Sequence, residues 1–211
     1  MAENNSNKLI TILLAIIICV AAITILFVSL PQGDTSTNGE ETEEEGEIPE
    51  EPAIFLTMIY GEEQTEYTLE DLTEDAITGY GGYRTSYPMI KGQGTYTGVP
   101  VTILVDSIAG SITNYSLFVV SNEDGLIENK TFDYDTVQGN TNIYNSTNAS
   151  DETPIGTGDV TMIVCYQKDG EYLDATEDGN IKIAFVNEDE ERITSSGLWW
   201  KFVESIEIIE N

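Results

Sequence analysis

Residues 92–110 read GQGTYTGVPVTILVDSIAG, and this stretch decides how the chain is built. A glycine-rich approach runs straight into an apolar segment with the marks of a short helix. Pro100 stands where a first turn tolerates a missing N–H. Apolar residues fill the middle, and Gly110 stands where the helix stops. The glycines upstream could serve a cofactor or only make a corner. They lack the GxGxxG spacing of a dinucleotide site and the Gly-Lys-Ser or Gly-Lys-Thr end of a phosphate loop. The expectation is a tight entry into the helix.

Working outward, AIFLTMIY (53–60) is rich in strand-forming residues, and EYTL (66–69) pairs with it after a turn at GEEQ. TLEDLTED starts a helix with Thr68 as its N-cap and acids in the first turn. ITGYGGYRTSYP (77–88) carries three glycines and three tyrosines, which predicts a loop or an irregular strand. YSLFVVS (115–121) reads as a buried strand, and residues 140–159 as a polar loop. VTMIVCYQKDG (160–170) is a central strand: Val160, Met162, Val164 and Tyr166 face one way, Thr161, Ile163 and Cys165 the other. Both sets are largely apolar, so both faces are covered. GEYL, NIKIAFVNEDEE and the terminal SIEIIE supply further strands. Trp199 and Trp200 are adjacent and point to opposite sides if extended, so at least one belongs to the core.

The first 52 residues have a different character. LITILLAIIICVAAITILFVSL (9–30) is 22 residues without a charge. At ~1.5 Å rise per residue it spans a hydrocarbon core of roughly 30 Å. It is longer than a usual signal-peptide apolar region, and FVSLPQG offers no good cleavage site. The expectation is one uncleaved transmembrane helix, with Cys19 an apolar residue inside it. Lys8 precedes the span and only acids follow closely, which keeps residues 1–8 in the cytoplasm. Residues 31–52 are an acidic, disordered stalk whose self-repulsion extends it. Residues 53–211 form the extracytoplasmic domain, which makes the chain a single-pass protein of the cell membrane. Four sequons, at Asn114, Asn129, Asn145 and Asn148, fall in that domain and would accept glycans on export.

The chain holds 38 acidic and 8 basic side chains, no histidine, and a formal charge of −30. Nucleic-acid binding is excluded by repulsion from phosphates. Without histidine, Ser-His-Asp triads and histidine-ligated zinc are absent. Cys165 is the one cysteine of the domain, so it has no disulfide or CxxC partner there, and its apolar strand marks an inert core thiol. LDATEDGN (173–180) fails as a calcium loop: Thr176 follows Asp174 by two positions and position twelve is Phe185. No metal site is expected.

Five pieces taken in order resemble a family: YTLEDL, GTYTGVPVTILVDSIAG, DGLIENKTFDYDTV, VTMIVCYQKDGEYLDATEDGNIKIAFVNED and GLWWKFVESIEI. The series, over about residues 66–209, resembles the oxidoreductase molybdopterin-binding domain, the fold of sulfite oxidases and their bacterial relatives. It is most similar to the small stand-alone versions on the surfaces of archaea and some bacteria. The resemblance implies an α+β fold, strand-rich with mixed sheets, behind the transmembrane helix. Catalytic members ligate molybdenum through a cysteine upstream of the GVP helix; GYGGYRTSYPMIKGQG has none. Members hold the pterin phosphate with Arg, Lys and His, and their DGP.R segment reads DGNIKI here, with Asn180 and Lys182 in place of Pro and Arg.

The expectation is thus a non-catalytic binding or structural module without the molybdopterin cofactor of its relatives. A ligand pocket is expected near Tyr80, Tyr83, Arg84, Tyr96 and Tyr166, side chains suited to neutral polar or aromatic ligands. Two alternatives stay open. One is a molybdopterin-dependent oxidoreductase or electron-transfer subunit, with Arg84 as the cofactor contact. The other is a glycosylated envelope component with a surface or envelope protein partner and no small ligand.

Overall fold

The burial of alternate residues along Tyr115–Glu123 and the full burial of Met162–Tyr166 separate two kinds of strand. The first kind covers a core from one side; the second runs through it. The computed structural model describes residues 53–87, 89–148 and 153–211. The expected N-terminus 1–8, membrane segment 9–30 and stalk 31–52 lie outside the described residues. Among those described, no helix is long and apolar enough to cross a membrane.

In chain order the elements are β1 (Ile54–Tyr60), β2 (Glu63–Thr68), α1 (Leu69–Glu74), β3 (Ile77–Arg84), β4 (Ile90–Pro100), α2 (Val101–Ala109), β5 (Tyr115–Glu123), β6 (Leu126–Phe132), α3 (Tyr134–Val137) and β7 (Asn142–Asn145). There follow β8 (Gly156–Thr157), β9 (Thr161–Lys168), β10 (Glu171–Tyr172), β11 (Lys182–Asn187), β12 (Arg192–Ser195), a 3₁₀ turn at Ser196–Leu198, and β13 (Val203–Glu210). The fold is strand-rich with mixed sheets and few helices. Capping chemistry fixes the helix ends. The Thr68 hydroxyl accepts the Asp71 N–H at 3.3 Å, while the Asp71 carboxylate accepts the Thr68 N–H at 2.7 Å. Gly110, at φ 67°, ends α2 and donates its N–H to the Asp106 carbonyl at 3.1 Å.

One sheet has the order β2-β1-β13-β5-β6, with β1 and β13 parallel and the other pairs antiparallel. The second contains a closed ring. β3 pairs with β4, β4 with β9, β9 with β11, and β11 with β3, all antiparallel. From the ring, β12 continues the sheet in parallel with β3, and β7 pairs antiparallel with β12.

Residues 77–84, expected as loop or irregular strand, are the strand β3, whose register against β4 shifts between Gly81 and Tyr83. The ring corrects another expectation: GQGTYTG, expected as a corner, lies inside the eleven-residue β4. The expected polar loop 140–159 also contains β7 and β8. The glycines are there because a ring of four strands is narrow. A Cβ at Gly98 would stand 2.2 Å from the Val164 carbonyl oxygen. One at Gly81 would stand 2.8 Å from the Phe185 carbonyl oxygen and 3.1 Å from the Trp199 ring. Close backbone approach, not turning, selects glycine at these positions.

The two faces of β9 feed two clusters. Met162, Val164 and Tyr166 join the main core with Leu56, Met58, Leu117, Ile206 and the apolar side of α2. Ile163 and Cys165 point into the ring, where they meet Tyr96, Ala184 and Val186. Trp199 and Trp200 divide in the same way: Trp199 packs on the ring cluster and Trp200 on the main core.

Candidate functional site

Alternation along β3 sorts the side chains that the sequence suggested as a pocket. Gly81 and Tyr83 approach Trp199, on the side of the ring interior. The Tyr80 hydroxyl accepts from Gln93 Nε2 at 3.0 Å, and the Arg84 guanidinium lies 5.7 Å from the centre of the Tyr144 ring. Arg84 lines a separate hollow with Thr85, Tyr144 and Ser195. Tyr166 is buried in the main core. The fold brings together Tyr83 and Tyr96, and leaves Tyr80, Arg84 and Tyr166 elsewhere.

Tyr83 and Tyr96 line a pocket of about 310 Å³ together with Gly92, Lys168, Asp178, Lys182, Ser196, Trp199 and Lys201. The Tyr96 and Trp199 rings meet edge to face at 5.0 Å, and Tyr83 and Trp199 are tilted at 5.3 Å. Two hydrogen bonds orient this wall. The Trp199 indole N–H donates to Thr194 Oγ1 at 2.9 Å, and the Tyr96 hydroxyl donates to the Gly92 carbonyl. Gly92 sits at φ 63°, and a Cβ there would stand 2.6 Å from the Tyr83 ring, so glycine makes room for the aromatic group.

Three of the chain's eight basic residues converge here. Lys182 is 5% exposed, and its ammonium lies 3.1 Å from Asp178 and 5.1 Å from the centre of the Tyr96 ring. Lys201 reaches the other Asp178 oxygen at 2.9 Å and the Glu177 carbonyl at 2.9 Å. Lys168 stands 5.7 Å over the Tyr96 ring and has no carboxylate partner among the described residues. Burial pushes the Lys182 ammonium below the ordinary lysine range, against the support of Asp178. Burial also works on Asp178 in the upward sense, but the hydrogen bond from Lys201 and the charge of Lys182 outweigh it and hold the carboxyl below its usual range. A wider hollow around Asp159, Asp189 and Arg192 lacks this surplus of positive charge, because Arg192 is already bound to both acids at 3.0 Å.

Beneath the pocket Cys165 is 0% exposed, and its thiol donates to the Gln167 carbonyl at 3.1 Å. Burial pushes the thiol up to about 12, more than the nearby Lys182 lowers it. At pH 8 that leaves about one thiolate in ten thousand. Iodoacetamide is therefore expected to spare Cys165 in the native chain carrying Cys19→Ser, and to label it on denaturation. Rapid native labelling, read by intact mass, would mean that the ring opens.

Sequence reasoning marked Lys182 only as a departure from the family's Arg, and missed Lys168, Lys201 and Asp178 as members of a site. The available signal was scarcity: lysines on and beside ring strands of so acidic a chain. Of the sequon asparagines, Asn114, Asn129 and Asn148 are exposed. Asn145 is half-buried, and its side-chain oxygen accepts the Thr147 N–H at 2.7 Å. Among the described residues no group of three or more Cys, Asp or Glu could hold a metal ion.

No family model matches the chain, and no curated protein matches it. Among solved structures, the sulfane dehydrogenase SoxCD from Paracoccus pantotrophus is similar, with a TM-score of 0.49 and 14% identity. The similarity covers 74% of this chain and 38% of that one.

Proposed function

We propose that the chain is a membrane-anchored, extracytoplasmic binding module on a molybdopterin-binding-like fold, and that it does not perform molybdenum chemistry. The observation that carries this reading is the make-up of the pocket. Aromatic rings and ammonium groups line it, while the one cysteine of the domain is sealed beneath them. The donor set does not fit the cofactor of the relatives. A thiol held near 12 and closed off by Tyr96 and Trp199 is no molybdenum ligand. Asp178, held low between two lysines, is no general acid near neutral pH. The rings and ammonium groups of the pocket suit recognition. The uncharged segment 9–30 supports anchoring, and the acidic segment 31–52 supports a spacer between membrane and domain.

The test is the metal and pterin content of the full chain made in a host that synthesises molybdenum cofactor. The expected result is neither molybdenum nor pterin fluorescence above background. Stoichiometric molybdenum would replace this reading with an oxidoreductase. The exposed asparagines favour a second reading, a glycosylated envelope component. Glycan mass at Asn114, Asn129 and Asn148 in protein from the native membrane would support it.

A further inference from the structure

The pocket sets a puzzle of charge. A chain with 38 acids places three ammonium groups around one hollow and gives them one lining carboxylate. Asp178 is saturated, with one oxygen on Lys182 at 3.1 Å and the other on Lys201 at 2.9 Å. Lys168 makes no ion pair within 4 Å among the described residues, since the neighbouring Asp169 carboxylate accepts the Thr95 N–H at 2.8 Å instead, and Lys168 borders the same space. We infer that the pocket binds a small planar aromatic carboxylate, held by Lys168 and the Ser196 hydroxyl at its charged end and by Tyr83 and Trp199 at its ring. This deepens the binding-module reading and rests on it.

Three constraints select that class. Size is the first. At ~30 Å³ per water-sized volume, about 310 Å³ holds roughly ten non-hydrogen atoms, enough for one substituted ring. Shape is the second. Tyr96 is already closed at 1% exposure, but Tyr83 and Trp199 are only half-buried and present ring surface to the hollow. A flat π system covers such a wall better than a branched chain does. Charge is the third. The lining calls for an anion, yet the surrounding molecule repels each negative charge the ligand carries. A single carboxylate satisfies the lysine at least cost, whereas a phosphate or other dianion meets twice the long-range repulsion.

The probes are benzoate, benzyl alcohol and sulfate, each titrated into the full chain and followed by tryptophan fluorescence and calorimetry. Benzyl alcohol keeps the ring and drops the charge; sulfate keeps charge and drops the ring. Benzoate is expected to bind at least tenfold tighter than either. Lys168→Met and Tyr83→Leu are each expected to weaken benzoate about tenfold while leaving the unfolding midpoint in place. Equal affinity for benzoate and benzyl alcohol would overturn the anionic part. Equal affinity for sulfate and benzoate would overturn the aromatic part. Benzoate binding that neither substitution weakens would put the ligand elsewhere and overturn the site. Any of these results, obtained on protein free of molybdenum, leaves the binding-module reading standing. Stoichiometric molybdenum in the same preparation is what removes that reading.

Discussion

Gly98→Ala is expected to unfold the domain, or to leave it more than about 3 kcal/mol less stable, at the upper end of overpacking costs. The new Cβ would fall 2.2 Å from the Val164 carbonyl oxygen and 2.6 Å from the Cys165 Cα. Both atoms are backbone, so no side chain can rotate to relieve the clash. β4 must move away from β9, and the ring cannot widen there without disturbing β11 and β3, which close it. Native domains hold only about 5–15 kcal/mol, so a loss of this size consumes much of the total. Gly156→Ala is the control, because a Cβ there meets nothing within 4 Å. Urea denaturation followed by tryptophan fluorescence reads both, since Trp199 and Trp200 are the chain's two tryptophans. Equal midpoints for the two variants would mean that the ring is looser than described.

The same glycines explain what the sequence hid. Local signals were legible. Thr68 and Gly110 announce helix ends through bonds made within a few residues. The alternation along β9 announces two covered faces, and Met162, Val164 and Tyr166 do face the main core while Ile163 and Cys165 face the ring. Strand propensity misleads at β4, and at β3 it left loop and irregular strand undivided. Their glycines are chosen by backbone atoms of β9 and β11, far along the chain, and propensity counts only the local cost. The pocket was hidden for a related reason. Tyr80, Tyr83 and Arg84 look like one group in sequence, but a strand sends Tyr83 to one side and its neighbours to the other. The lysines come from β9, β11 and the segment before β13, and only ring closure makes them neighbours.

Asp178→Asn carries the second large effect, because it leaves Lys182 buried and charged beside a neutral amide. Removing one partner of a buried pair costs about 3–5 kcal/mol, and Lys182 is nearly as closed off as a core residue. Adding Lys182→Met is expected to restore most of the loss, because methionine fills the same space beside Tyr96 and Trp199 without a charge. The pH dependence fixes the cause. In the wild type the Asp178 carboxyl titrates below its ordinary 3.8, so its stabilising contribution is complete above 3.8 and is lost as pH falls through the folded value. Lys182 titrates below 10.5 in the folded state, so the unfolded chain binds the extra proton between those two values. Stability from this group therefore rises with pH across that window. Without Asp178 the folded lysine loses the carboxylate that supports its charge, and the window extends further below 10.5. The difference in urea midpoint between Asp178→Asn and the wild type should accordingly be large at neutral pH. It should shrink at acid pH, where the wild-type carboxylate is itself protonated, and shrink again at alkaline pH as Lys182 becomes neutral. A difference that is flat from acid to alkali would mean that Asp178 acts through packing rather than through charge, and that the pocket is less positive than its lysines imply.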